Sequence, residues 1–220
     1  MGKRKVPFEN SEVYHVFNRG VDKRSIFEEE WDSHRFLKSM RLFNTKDPVG
    51  SIRNASTQVK AISYSGPAAV RDPLVEIIAY CLNPNHFHLL LRQVSDGGVS
   101  EYVKRLSGGY TRYFNDKYER SGVLFQGKFK AVHVGENDQL LYVSAYVNLN
   151  FRVHRYSGRT AGLVRSSWDE YRGSVREEFC QKEIILGQFR NVQEYKHFAE
   201  QSLKGMVERK QLEKDLFEES

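Results

Sequence analysis

A chain of 220 residues that is 40% hydrophobic and 28% charged can bury the core of one medium domain, and its composition is that of a folded protein rather than a disordered or membrane one. A formal charge of +6 favours a polyanionic partner, nucleic acid ahead of an anionic membrane surface, without specifying one. No run approaches the roughly 18 apolar residues of a membrane span. The opening MGKRKVPFEN has no apolar centre behind its basic residues, and Cys81 and Cys180 are too few for a disulfide framework or a Cys-based zinc site, so a cytoplasmic protein without a membrane partner is expected.

In chain order, EVYHVFNRG alternates apolar and polar residues up to Gly20, the pattern of a half-buried strand. Glu28 to about Phe43 opens with acids, which suit the positive end of a helix dipole, and then spaces Trp31, Phe36, Leu37, Met40 and Leu42 as an amphipathic helix does. Asn44 to Pro73 loses that period and collects Pro, Gly, Ser, Asn and Thr, the composition of a long mobile loop or insertion. LVEIIAYCLN and HFHLLLR are short β-leaning runs joined by Pro84 and Asn85, which predicts a hairpin. Val99 to about Tyr118 repeats Val103, Leu106, Tyr110 and Phe114 at helical spacing, although Gly108 and Gly109 weaken it. GVLFQGKFKAVHV alternates as a fourth strand, and Glu136 to about Val153 is a strong helix with Asn137 or Asp138 available as cap.

The order β-α-β-β-α-β-α packs as an α+β fold, a ferredoxin-like antiparallel sheet with helices on one face. Beyond Arg155, SGRTAGLVRSSWDEYRGS reads as an ordered loop, and residues 177–220 read as short helices ending in a charged tail. The expected division is a catalytic domain over 1–175 and a C-terminal helical extension over 176–220.

Side chains alternate across a strand, so His86 and His88 project from one face and Phe87 and Leu89 from the other. Two imidazoles on one face make a bidentate site for a divalent metal with coordination positions left open. Taken alone, so short a motif reads rather as two polar residues at a sheet face. In YVNLN, Tyr146 and Asn150 are four apart and share a helix face, a phenol above an amide oxygen. Packed beside the hairpin, Asn150 would complete a metal shell with Tyr146 above it; otherwise Tyr142, Tyr146 and Asn150 form a half-buried seam. Between Ser100 and Val134, Lys104, Arg105, Arg112, Lys117, Arg120, Lys128 and Lys130 interleave with Tyr110, Tyr113, Phe114, Phe125 and Phe129, a pattern that serves the phosphates and bases of a single strand. Phe114 and Phe129 read as core, and Arg112, Lys128 and Lys130 as candidate DNA contacts, joined by Arg19 from its place in FNRG.

The stretches YHVFNRG, NPNHFHLLL, GGYTRYFN, GVLFQGKFKA, AYVNLN and SSWDEYRG, in that order, resemble the single-tyrosine HUH transposases of the IS type, and more closely the REP-associated tyrosine transposases, over roughly Ser11 to Gly173. The resemblance implies a palm-like sheet, with His86, His88 and Asn150 as ligands of Mg²⁺ or Mn²⁺ and Tyr146 as nucleophile. It implies cleavage and rejoining of single-stranded or hairpin DNA at palindromic repeats through a 5′-phosphotyrosine, by a monomer or homodimer that is nucleoid-associated when bound to DNA. Three features depart from the pattern. Phe151 stands where many relatives continue with N-P-V-x-x-G, the Asn44 to Pro73 connection is long, and the segment after Gly173 lies outside the resemblance. Two other readings stay open: a non-cleaving module that recognises hairpin DNA or RNA, and a zinc-dependent hydrolase, for which a third His or carboxylate and a general base are not evident.

Overall fold

The computed structural model describes residues 7–47, 72–175 and 180–218. Its elements are β1 (Val13–Arg19), a 3₁₀ turn (Val21–Lys23), α1 (Glu30–Leu42), β2 (Val75–Asn83), β3 (His86–Gln93), α2 (Gly98–Lys117), β4 (Lys130–Val134), α3 (Asn137–Val153), α4 (Gly158–Gly162), β5 (Arg165–Ser166), α5 (Trp168–Tyr171), α6 (Glu183–Leu186) and α7 (Val192–Glu218). The strands form one antiparallel sheet in the order β4-β1-β3-β2-β5.

The expected hairpin is present, with Asn83 opposite His86 across the Pro84–Asn85 turn. Backbone N–H groups of Ile26 and Phe27 donate to Pro84 O at 2.7 and 3.0 Å, and Gly20 N donates to Asn85 O at 2.8 Å, so the segment after β1 clamps the turn from outside. Buried Asn44 ties the two ends of the expected long connection: its Oδ1 accepts from Leu74 and Val75 N, and its Nδ2 donates to Val75 O. The greater part of that connection, 48–71, lies outside the described residues.

Helices cover the sheet on both faces, which corrects the expectation of helices on one face. Leu89, Leu90 and Leu91 are all fully buried, and consecutive strand residues point to opposite sides, so neither side of β3 can be left to water. On the Phe87 side, α1 and α2 pack through Phe36 and Tyr110, whose rings meet at 5.0 Å, with Phe36 against Phe87 at 5.3 Å. On the His88 side, α3 lies across β2 and reaches β3. The fourth strand is shorter than the alternation predicts, because Gly127 turns at φ 64° and leaves Phe125 in a single bridge to Gly20. The loop expected near residue 165 contributes instead a short edge strand, Arg165 and Ser166, paired to β2. At the start of α3 the cap position is Glu136, with no side-chain hydrogen bond, rather than Asn137 or Asp138.

The C-terminal segment packs α7 onto α3. Tyr195 is fully buried there, its hydroxyl accepting from Asn148 Nδ2 at 2.8 Å and pairing with Ser144 Oγ at 3.2 Å. Asn148 Oδ1 in turn accepts from Ser167 Oγ at 2.5 Å, so α3 is held between the sheet edge and the last helix. Among the described residues no helix is long and apolar enough to cross a membrane.

Candidate metal and nucleophile site

β3 presents His86 and His88 to the layer that contains α3, and α3 presents Tyr146 and Asn150 back to β3. The two halves meet. Asn150 Oδ1 lies 3.3 Å from His86 Nε2, and Asn83 Nδ2 sits between them, 2.8 Å from Asn150 Oδ1 and 3.0 Å from His86 Nε2. The rings of His86 and His88 are 5.1 Å apart. Tyr146 stands edge-on to His88, with ring centroids at 5.5 Å and planes at 87°.

The protonation pattern follows from the neighbours. Asn85 Nδ2 donates to Lys23 O, so its Oδ1 faces His86 Nδ1 at 2.7 Å; that nitrogen must carry the proton, and Nε2 keeps its lone pair. His88 Nδ1 lies 2.8 Å from His15 Nε2, which can accept its proton and leave Nε2 of His88 as the ligating nitrogen. Burial holds His86 down at about 4, opposed by its hydrogen bond to Asn150 and aided by the charge of Lys210. Burial likewise lowers His15 to about 4 and places His88 well below the ordinary imidazole range. Near neutral pH these side chains are therefore uncharged, the form that binds metals. Asn150 is fully buried, and among the described residues its Nδ2 has no hydrogen-bond partner. An orphan amide of this kind costs about 1–3 kcal/mol, and the expense is explicable if its oxygen is needed as a donor.

Sequence reasoning missed several neighbours of this cluster. His15 alternates correctly in YHVF, but its role depends on β1 pairing with β3, which no local pattern reveals. Asn83 and Asn85 read as a strand end and a turn. His154, one turn beyond Asn150, brings its ring to 4.6 Å from that of His86, and Lys210 Nζ of α7 lies 2.5 Å from His154 Nδ1. Burial drives His154 down to about 3, with the charges of His86 and Lys210 adding to it.

The basic candidates divide by layer. Arg19 stands opposite His86 in the β1–β3 register, with its guanidinium on Gln126. Lys130 stands opposite Phe17 on the other edge of β1, and Lys128 is exposed just before it. Arg112 is not brought to the site: it is exposed on α2, across the sheet, with Asp116 at 4.0 Å. Among the described residues no cluster of three or more His, Cys, Asp or Glu side chains is gathered, so the candidate donor set is two imidazoles and one amide oxygen.

Residues 62–150 match the family model described as Transposase IS200 like, and His86, His88, Tyr146 and Asn150 all fall inside that stretch. Among solved structures the chain is similar to a REP-associated tyrosine transposase bound to a REP hairpin, at 14% identity and a TM-score of 0.43, over 83% of this chain and 93% of that one. It is also similar to a candidate transposase from Deinococcus radiodurans R1, at 15% identity and a TM-score of 0.35, over 71% of this chain and 100% of that one. No curated protein matches the sequence.

Proposed function

From a chain whose residues 62–150 match the IS200-like transposase family model, we propose a metal-dependent endonuclease and strand transferase that acts on hairpin-bearing single-stranded DNA through a 5′-phosphotyrosine. The observation that carries this reading is the convergence of His86, His88 and Asn150 beneath Tyr146, from two elements far apart in sequence.

The residues fit a divalent ion such as Mg²⁺ or Mn²⁺. His86 and His88 would offer neutral nitrogens and Asn150 its Oδ1, while Asn85 sets the tautomer of His86 and His15, by accepting from His88 Nδ1, would set that of His88. When bound, such an ion withdraws charge from the phosphate oxygens and stabilises the transition state. A phenol has a reference pKa near 10 and is a weak nucleophile unless so assisted.

Tyr146 Oη attacks the phosphorus of a phosphodiester. The bond to the 3′-oxygen breaks, the phenolic proton is given up, and the leaving oxygen takes up a proton to become a free 3′-OH. The 5′-phosphate remains on Tyr146, and attack by another 3′-OH runs the same exchange backwards and joins a new strand. Each step exchanges one phosphoester bond for another, so no nucleotide cofactor is required.

The test is to incubate labelled hairpin-bearing strands with the protein and Mg²⁺ or Mn²⁺, with and without chelator, and to look for an adduct that survives denaturation. Wild type should form it only with metal, and Tyr146→Phe should form none while still binding the strand. Tight binding without an adduct on any strand would replace the enzyme by a binding module.

A further inference from the structure

Among the described residues, only half of the sheet's histidine face is covered. α3 lies over β2 and β3, whereas β1 and β4 present their alternate residues outward: Lys130 is exposed, Val132 is 50% exposed, and Phe17 and His15 are half-buried. The register makes this half continuous with the site. Arg19 is opposite His86, Phe17 lies between His88 and Lys130, and His15 lies between Leu90 and Val132. No carboxylate stands among the residues of β1 and β4 on this face, because Glu12, the nearest acid, points with Tyr14 and His133 to the other side.

Phe17 is the unusual member. Its ring is not packed into the hydrophobic core; it lies against His15 and His88, at 5.1 and 5.6 Å between centroids and within 32° and 25° of coplanarity. Tyr146 meets the same His88 edge-on, so the phenyl group is one ring removed from the nucleophile. A flat, half-exposed aromatic flanked by two cations, Arg19 and Lys130, on strands that carry no acid has the chemistry that holds a nucleotide: a π surface for the base and positive charge for the phosphates on either side.

We propose that Phe17 is the stacking platform for a base next to the scissile phosphate, and that the open face of β1 and β4 is the track of the DNA strand, with Lys130 and Arg19 on its phosphates. This rests on the single-stranded DNA reading above.

The experiment uses the full chain with Tyr146→Phe to hold the strand uncut, and a strand carrying 5-iodouracil at successive positions around the cleavage point mapped with wild type. Illumination should cross-link one position to Phe17. Phe17→Ala and Phe17→Leu should lose that cross-link and bind roughly ten-fold more weakly, since base–aromatic stacking has about that effect or more. Phe17→Trp should restore both. Lys130→Ala should lower the salt dependence of binding by about one phosphate contact. A cross-link that maps elsewhere, or a Phe17→Leu variant that binds like its parent, overturns the platform while leaving cleavage by wild type intact. A wild type that neither binds nor cuts any strand overturns the functional reading itself and the platform with it.

Discussion

His15 touches neither a proposed phosphate nor a proposed ion, yet by accepting from His88 Nδ1 it would leave Nε2 of His88 free for the proposed ion. Replacing it by Ala should weaken Mn²⁺ binding by about ten-fold or more, the usual effect of losing such a hydrogen-bond partner, with part of the loss recovered in His15→Gln; calorimetric titration of the metal reads this directly. An unchanged affinity in the Ala variant would mean that His88 does not need orienting. The distinction between His15 and His86 also marks the limit of sequence at this scale. His86 with His88, and Tyr146 with Asn150, are legible because each pair lies within one element whose period is known. His15, Asn83 and His154 reach the cluster through strand pairing, a side-chain amide and a helix end, none of which leaves a local pattern.

At the scale of elements, two adjacent glycines in α2 make opposite predictions. Gly108 is exposed with open space around it, whereas a Cβ on Gly109 would come within 2.7 Å of the Phe43 ring. Gly108→Ala should therefore stabilise the protein by about 0.5–1 kcal/mol through helix propensity, and Gly109→Ala should destabilise it by forcing α2 from α1; urea titration separates the two. Sequence shows both glycines only as weak points, because the close approach belongs to the partner helix. The same pair of helices is joined by Asp32, a fully buried carboxylate in the first turn of α1. It accepts from Glu28 and Glu29 N, Tyr113 and Tyr118 hydroxyls, and Lys117 Nζ at 2.7 Å. Burial by itself would raise this carboxyl, but the hydrogen bonds, that of Lys117 foremost, outweigh it and hold it below its ordinary 3.8. A lowered carboxylate stabilises the folded state above its unfolded value and loses that contribution as pH falls toward the folded value. The stability gap between wild type and Asp32→Asn should hence be constant above about pH 5 and shrink below about pH 4, as followed by thermal unfolding across pH. The acid at the helix start was legible as a dipole partner; its role as a knot between helices was not, since three of its donors lie more than eighty residues away.

For the whole molecule, the strand and helix order was readable up to Val153 because each element carries its own period, while the allocation of helices to two faces was not, because it depends on how all three leucines of LLL are covered. The C-terminal segment reads in sequence as short helices, whereas the structure has one long helix, α7, over Val192–Glu218. In the structure α7 closes over α3, and Tyr195→Phe should cost about 1–3 kcal/mol by leaving the buried Asn148 amide without its acceptor; an equilibrium unfolding curve unchanged from wild type would show the tie to be slack. One consequence follows from Tyr146 and Asn150 sharing α3 while His86 and His88 belong to the sheet. On the proposed reading the tyrosine and the amide ligand could not depart separately: a tilt of α3 away from β3 would remove both at once. Ion occupancy and nucleophile placement would then form a single linked equilibrium, in which whatever binds the three proposed donors would draw the tyrosine into position and whatever loosens the helix would release the ion.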